Sequence, residues 1–373
     1  MGNLQFISEF FYRSFSFKKS GRAGVVSVLI YLLLCLMLPQ TLASQDSLFN
    51  SEEIFRIKLS GEIKELFRDR TGDPEYTPVV LSYSDTKGTE IKIPLKVRQR
   101  GHFRRMKSNC KYPPLLLNFV KKSTKKTIFD GQDKIKLVMP CKDDKYVLQE
   151  YYAYKIYNLV SPRSFRVRLV EVVLDDPALR EKESLAFYGF LLEEEEQLAE
   201  RNNMIPVKLT QLRPESTQRE DFLNMAIFNY LIGKTDWSVQ YRHNIKLIAE
   251  DSISLPVTVP YDFDHAGIVR APYAHPAEGL ELRSTLERRY RGYCLEDLRA
   301  FEAVVQKYVS IKEELYAVYT SSPLLEERYV RKTRQYLDDF YATLRDPEKL
   351  KKELQYPCLK GGTGNVVIRG LNN

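Results

Sequence analysis

The sequence predicts an α+β fold with a strand-rich N-terminal half and a helical C-terminal half. Across residues 54–119, apolar residues alternate or run together in short segments divided by turn residues such as those at 72–74, which is typical of strands. Across residues 280–344, apolar and aromatic residues recur every three or four positions, which predicts helices. Between these halves, residues 221–266 combine helical and strand patterns with several acidic and amide side chains.

The strands and the first long helix follow one another in a regular order. Alternating or continuous apolar runs predict strands at 54–59, 78–83, 91–101, 112–119, 133–141, 165–176 and 184–196. Apolar spacing at three and four predicts an amphipathic helix over 146–159. The helix therefore follows the fifth predicted strand directly.

The central stretch predicts a helix, a polar loop and a hairpin. Apolar residues at helical spacing in 222–232 predict a buried helix that ends near Gly233. Residues 245–248 alternate apolar and basic side chains, and residues 255–260 form the expected hairpin partner. The hairpin returns the chain to the end at which the polar loop lies.

Four polar residues are expected to meet at that end. The loop carries Asp236 and Asn244, and the hairpin leads into Asp262 and Asp264. Kinases use a loop with Asp and Asn, followed by a further Asp, for phosphoryl transfer. Because Mg²⁺ prefers oxygen ligands, Asn244 and Asp262 are predicted to bind it, with Asp264 as a second carboxylate ligand. Asp236 is predicted to be the catalytic carboxylate, and His243 to support the loop.

Three segments of this stretch resemble a known family. They are NYLIGKTDW at 229–237, HN at 243–244 and YDFDHAG at 261–267. Together they resemble motifs of the spore-coat protein H (CotH) kinase-like family. Upstream, VRQRGHFRR at 97–105 and FYGFLLEEEE at 187–196 are similar to two further segments of that family. The likeness covers roughly residues 92–267.

The resemblance implies an atypical protein-kinase-like, two-lobed fold that binds ATP and Mg²⁺ or Mn²⁺. On that expectation residues 44–358 form the kinase domain, with a β-rich N-lobe at about 50–195 and a helical C-lobe at about 196–358. The expected partners are a nucleotide, a divalent metal and a protein or other envelope acceptor.

Two candidates compete for contact with the phosphates. Lys136 on a strand and Glu150 on the following helix have the order of a kinase lysine and its orienting glutamate. An ordinary surface lysine and surface glutamate are the alternative interpretation. The arginines of 97–105 are the rival, since the following Gly101 lets the backbone approach a phosphate closely. Among them, the family resemblance favours Arg100 as the phosphate contact. No glycine-rich G-x-G-x-x-G loop occurs in the sequence.

The N-terminus predicts a targeting segment over residues 1–43. A basic region precedes an almost wholly apolar run at 25–38, and small residues follow up to Ala43. The apolar run is shorter than the roughly 20 residues that span a bilayer, which favours a cleaved signal peptide, with a signal anchor as the alternative. Both place the rest of the chain outside the cytoplasm, and only the anchor gives it a membrane contact. Residues 359–373 are predicted to be a flexible tail.

The remaining composition agrees with a secreted globular protein. Cys110, Cys141, Cys294 and Cys358 lie beyond the targeting segment, and in an oxidising compartment the first two and the last two are expected to pair. Four buried thiols are the alternative. The net charge is +8, of which the targeting segment supplies about three, so the pattern does not indicate a nucleic-acid partner.

The sequence therefore predicts a secreted or envelope enzyme that transfers the γ-phosphate of ATP to an extracytoplasmic acceptor. A catalytically inactive binding or scaffold protein of the envelope is the alternative. Transfer of the nucleotide part itself, or ATP-dependent joining of an amino acid, is a third interpretation.

Overall fold

The computed structural model describes residues 48–70, 72–180 and 186–360. These residues belong to one compact unit, Asp46–Asn373. The predicted targeting segment at 1–43 and most of the predicted tail at 359–373 lie outside the described residues. Within the described part, every helix is too short or too polar to cross a membrane.

Seven strands close into a barrel in the order β1-β2-β3-β4-β5-β7-β6. They are β1 (Phe55–Gly61), β2 (Thr77–Ser84), β3 (Glu90–Gln99), β4 (Leu115–Phe119), β5 (Lys134–Val138), β6 (Val167–Asp175) and β7 (Phe187–Leu192). Neighbouring strands pair antiparallel, except that β1 pairs with β6 in parallel and so closes the barrel. Alternate residues of β3, Ile93, Leu95 and Val97, are buried, as expected for a strand with one face toward the barrel core.

Helices and a small sheet complete the unit. The helices are α1 (Ile63–Leu66), α2 (Lys121–Thr124), α3 (Asp144–Val160), α4 (Glu195–Arg201), α5 (Arg219–Ile232), α6 (Glu302–Ser310), α7 (Lys312–Thr320), α8 (Glu327–Arg345) and α9 (Pro347–Leu354). Strands β8 (Ile205–Pro206), β9 (Ile245–Ala249) and β10 (Val257–Pro260) form an antiparallel sheet in the order β10-β9-β8. The predicted hairpin at 245–260 is thereby confirmed.

The predicted two-lobed, kinase-like fold with a β-rich N-lobe and a helical C-lobe is wrong. The strands of the N-terminal half form a closed barrel, and the C-terminal half contains a sheet as well as helices. A single apolar cluster runs from Val138 on β5 through α3 and α5 to Phe340 on α8. The local patterns located the strands, but they carry no information about the pairing of β1 with β6, which joins residues more than a hundred positions apart.

The helical prediction for 280–344 is correct only in its later part. Regular helix begins at the 3₁₀ turn Leu298–Phe301 and α6, whereas residues 280–297 have no helix. Arg291 in this segment is buried and donates hydrogen bonds to main-chain carbonyls, and Cys294 forms a disulfide. These long-range contacts hold the segment in an irregular conformation despite its helical spacing.

Two disulfides confirm the expected cysteine pairing. Cys110 pairs with Cys141, and Cys294 pairs with Cys358. The first joins the segment after β3 to the segment after β5, next to the hydrogen bond from Lys111 N–H to the Cys141 carbonyl (3.0 Å). It therefore fixes the loop between β3 and β4 against the barrel.

Gly233 ends α5 as the sequence predicted. Its φ of 69° is left-handed, and a Cβ at this position would meet the Tyr336 hydroxyl and, at 2.7 Å, the Thr285 carbonyl oxygen. Gly279 has a φ of 82° but open space around it. Substitution of Gly233 would therefore cause both backbone strain and steric overlap, whereas substitution of Gly279 would cause backbone strain alone.

We expect Gly233→Ala to lower the free energy of unfolding by roughly 2–4 kcal/mol, because left-handed strain and overpacking add. Gly279→Ala is the matched control and is expected to cost about 1 kcal/mol from strain alone. Urea unfolding followed by circular dichroism measures both. Equal losses in the two variants would contradict the packing described for Gly233.

Candidate functional site

A buried lysine connects the loop after α5 to the segment after β10. The Lys234 side chain is fully buried, and its Nζ donates to Asp236 Oδ1 at 2.8 Å and to the Asp262 carbonyl oxygen at 2.6 Å. An ammonium without water requires such charged or polar acceptors. Lys234 therefore holds the loop of Asp236 against the backbone of Asp262.

Asn244 fixes the same loop from the other side. Its Nδ2 donates to the main-chain oxygen of Asp236 at 2.8 Å and to Asp236 Oδ2 at 3.0 Å. The Tyr261 N–H donates to the Asn244 carbonyl at 3.1 Å. The three predicted residues Asp236, Asn244 and Asp262 are thus brought together, and within the described part of the chain no residue donates a hydrogen bond to the side-chain oxygen of Asn244.

Asp262 lies where this loop meets the barrel. Its φ is 62°, and its N–H donates to the Tyr154 hydroxyl on α3 at 2.7 Å. One of its carboxylate oxygens lies 3.7 Å from Lys136 Nζ on β5, and about a third of the side chain is exposed (32%). Burial acts to raise the pKa of Asp262, but Lys136 and Lys234 outweigh it and hold the pKa below its usual value. The carboxylate is therefore ionised and open to a ligand.

Lys136 and Glu150 have different partners. Lys136 is buried beside Asp262, and burial lowers the pKa of its ammonium. Glu150 on α3 is paired with Arg104, whose Nη1 donates to Glu150 Oε2 at 3.2 Å. Arg104 is itself buried, and its Nη2 donates to the Met139 carbonyl at 2.5 Å. The arginine thus takes the position beside Glu150 that the sequence predicted for the lysine.

Asp264 faces the same arginine. Its Oδ2 lies 3.8 Å from Arg104 Nη1, and the residue is buried. Among the described residues, no group of three or more His, Cys, Asp and Glu side chains is arranged to hold a metal. Any metal at this site would therefore depend on Asp262, on the amide oxygen of Asn244 and on oxygens that its ligand brings.

Arg100 lies at the edge of the site. Its Nη1 is 3.7 Å from Glu194 Oε1, and both side chains line a cleft of about 780 Å³. Arg100 also acts on the pKa of Lys136, which it lowers after the larger effect of burial. The predicted phosphate contact therefore lies within electrostatic reach of Lys136.

His243 supports the loop through its main chain. Its N–H donates to the Ser238 carbonyl at 3.0 Å, and the Ser238 N–H donates to the His243 carbonyl at 2.9 Å. Burial lowers the pKa of its imidazole, although Asp236 opposes the effect. The lowered pKa favours the neutral ring. The main-chain pairing of Ser238 with His243 brings together the two sides of the loop between Asp236 and Asn244.

Sequence reasoning gave no role to Lys234 or Arg291. Arg291 is buried, and its Nη1 donates to the main-chain oxygens of Thr235 and Trp237, the latter at 2.7 Å. These are the residues on either side of Asp236. The signal for Lys234 was its position directly after the helix-ending Gly233, whereas no local pattern marks Arg291.

Glu150 gives the site a pH-dependent contribution to stability. Burial raises the pKa of its carboxyl from 4.5 to about 8, although Arg104 opposes the effect. The folded state thus binds this proton more tightly than the unfolded state does. The contribution is complete below pH 4.5 and is lost as the pH rises through about 8.

We expect the stability of the wild type, relative to Glu150→Gln, to fall by at least about 1 kcal/mol between pH 5 and pH 8.5. Thermal unfolding of both proteins across this range measures the difference, and groups common to both cancel. A difference that is constant with pH, or that grows with it, would contradict the raised pKa of Glu150.

Comparison with models of known protein families and with curated proteins gave no match to this sequence. The resemblance to the CotH kinase-like family therefore stays an expectation from the sequence motifs within residues 92–267.

Proposed function

We propose that this protein transfers the γ-phosphoryl group of ATP, with Mg²⁺ or Mn²⁺, to a protein or other acceptor outside the cytoplasm. The observation that carries the proposal is the junction at Lys234, which joins Asp236, Asn244 and Asp262, with Lys136 3.7 Å from the Asp262 carboxylate. Phosphoryl transfer depends on positioning and on compensation of charge rather than on covalent chemistry of the protein. A buried lysine, a partly exposed carboxylate and a second carboxylate in a fixed loop supply those components.

The donor atoms suit a magnesium ion bound together with phosphates. Mg²⁺ is typically held by one or two carboxylates plus phosphate oxygens rather than by a cage of protein ligands. Asp262 offers an ionised carboxylate, and Asn244 offers an amide oxygen because its nitrogen is occupied by Asp236. When bound, the metal and ATP would supply the phosphoryl group and compensate its negative charge. Lys136, and Arg100 once it leaves Glu194, are two cations available to the phosphates.

Asp236 is the residue suited to orient the hydroxyl group of the acceptor. Its side chain is about one-fifth exposed (19%), and its carboxylate is held by Lys234 on one oxygen and by Asn244 on the other. A carboxylate fixed in this way orients an attacking hydroxyl and accepts its proton. Arg291 fixes the peptide groups on both sides of Asp236 and so positions it.

The two disulfides support the proposed location. Structural disulfides form and persist in oxidising compartments and are rare in the cytosol. The predicted targeting segment at 1–43 is consistent with such a compartment.

The alternative is a catalytically inactive binding or scaffold protein of the envelope. Arg104 favours it, because the guanidinium lies against both Glu150 and Asp264 and so compensates a carboxylate that was predicted to bind metal. Metal binding distinguishes the two functions, since a scaffold has no need of the Asp262 carboxylate.

We expect Asp262→Asn to abolish metal-dependent ATP binding. Asn tolerates the positive φ of this position, so the backbone is retained while the carboxylate charge is lost. Isothermal titration with ATP in Mg²⁺, in Mn²⁺ and in a chelator measures the effect. Asp339→Asn, an exposed carboxylate on α8, is the matched control and should bind like the wild type. Wild-type affinity in Asp262→Asn would refute the metal assignment.

We expect Asp236→Asn to lose transfer by about 10²–10⁴-fold, the usual effect of removing a general base. We expect a smaller loss of ATP affinity, because Lys234 loses its counter-charge and Asn244 Nδ2 loses a carboxylate acceptor. Release of labelled phosphate to water and labelling of envelope extracts measure transfer. The mass added to the product distinguishes phosphate from nucleotide. Wild-type transfer by this variant would remove Asp236 from the catalytic role.

A further inference from the structure

The cleft beside Arg100 is lined almost entirely by polar and charged side chains. The basic residues are Arg98, Arg100, Arg105, Lys121 and Lys134, and the acidic residues are Asp73, Asp133, Glu194, Glu196 and Glu200. Of the described residues that line it, only Leu116 and Pro74 have apolar side chains. Pockets that select a flat, uncharged ring system are lined mainly by apolar and aromatic groups. This cleft therefore suits a ligand that is recognised through charges and hydroxyl groups.

The cleft lies on the same barrel face as Lys136. Leu116 on β4 is the direct neighbour of Lys136 on β5, and Arg98 on β3 is the direct neighbour of Leu116. Directly opposed residues of adjacent strands point to the same face of a sheet. Arg98 is thus two strand spacings, roughly 10 Å, from Lys136. A ligand about 10 Å long that contacts Lys136 can therefore reach the cleft.

The four glutamates at 193–196 fall into two pairs, one buried in ion pairs and one lining the cleft. Glu193 is buried and accepts from Arg201 Nε at 2.9 Å, and Glu195 is buried and lies 2.9 Å from both Lys208 and Lys246. These two residues hold α4 in place. Glu194 and Glu196 alternate with them and line the cleft.

Glu196 and Glu200 are exposed and lie one turn apart on α4. Like charges at this spacing destabilise a helix. The one ion pair of Glu196 in the described chain, 3.7 Å to Lys208, joins two largely exposed side chains and contributes little. The helix therefore carries two carboxylates that face the cleft and whose mutual repulsion offsets the small benefit that Glu196 gains from its place in the first turn of α4.

We infer that the cleft binds the nucleoside end of the donor, with the carboxylates of α4 accepting hydrogen bonds from the ribose hydroxyls, and that it selects little among bases. The inference rests on the proposed function, and it extends the donor class from ATP to nucleoside triphosphates in general. Carboxylates are suitable acceptors for ribose hydroxyls. Arg98 and Arg100 can contact the phosphates when they exchange their partners Asp73 (3.4 Å) and Glu194 (3.7 Å) for them.

The test is isothermal titration of the wild-type protein with ATP, GTP, CTP and 2′,3′-dideoxy-ATP, each with Mg²⁺. We expect the first three dissociation constants to agree within about threefold, since little apolar surface is available to favour one base. We expect dideoxy-ATP to bind about tenfold more weakly, the usual effect of a lost hydrogen bond to a charged group.

The double variant Glu196→Ala, Glu200→Ala keeps the contact between Arg100 and Glu194 and removes the two α4 carboxylates. We expect dideoxy-ATP and ATP to bind it equally well, and its melting temperature to match or exceed that of the wild type. Glu348→Ala, at an exposed glutamate of α9, is the matched control and should retain the tenfold ratio.

ATP binding at least tenfold tighter than GTP and CTP, or equal binding of ATP and dideoxy-ATP by the wild type, would overturn the inference and leave the proposed function intact. A lower melting temperature of the double variant with an unchanged tenfold ratio would assign the two carboxylates to structure and also overturn it. Failure of every triphosphate to bind would overturn the proposed function and this inference together.

Discussion

A buried ammonium group organises this protein. Lys234 has no contact with water, and its two acceptors come from the loop of Asp236 and from the backbone of Asp262. Removing either acceptor would leave a charge in the interior, which is far more costly than an exposed one. The loop and the segment after β10 must therefore adopt one relative arrangement. Because Asp262 also meets Lys136 on β5, the same constraint ties the helical part to the barrel.

Two buried arginines contact the residues around that junction. Arg104 lies between Glu150 on α3 and Asp264, while Arg291 binds the peptide groups around Asp236. Each guanidinium is almost wholly buried. Arg104 contacts groups of different elements, whereas Arg291 contacts two carbonyl groups of a single loop. Buried networks of this kind restrict the geometry of the groups that they join. These cations therefore position the residues around the site, which is open at the carboxylate of Asp262.

The sequence predicted the local parts of this arrangement well. The end of α5 at Gly233, the hairpin of β9 and β10 and both disulfides follow from residue type and spacing, and each is present. The convergence of Asp236, Asn244 and Asp262 also followed, because a hairpin returns the chain to its starting point. All of these features depend on contacts between residues close in the chain or on the chemistry of cysteine.

What the sequence did not predict depends on distant contacts. Closure of the barrel requires β1 to pair with β6, and no periodicity within either strand specifies its partner. The pairing of Glu150 with Arg104 rather than Lys136 depends on how the loop after β3 folds back, which the disulfide from Cys110 to Cys141 helps to fix. Similarly, the helical spacing of 280–297 is overridden by Arg291 and Cys294, whose partners lie more than fifty residues away.

The closing pair of the barrel also has a consequence for how the chain folds. Phe55 on β1 is paired with Val170 on β6, so the first strand must wait for more than a hundred further residues before its second edge is covered. Until then β1 presents unpaired main-chain groups, which are a template for association with other chains. Pairings between distant segments also form slowly. The edge of β1 is thus open to association with other chains until β6 has formed.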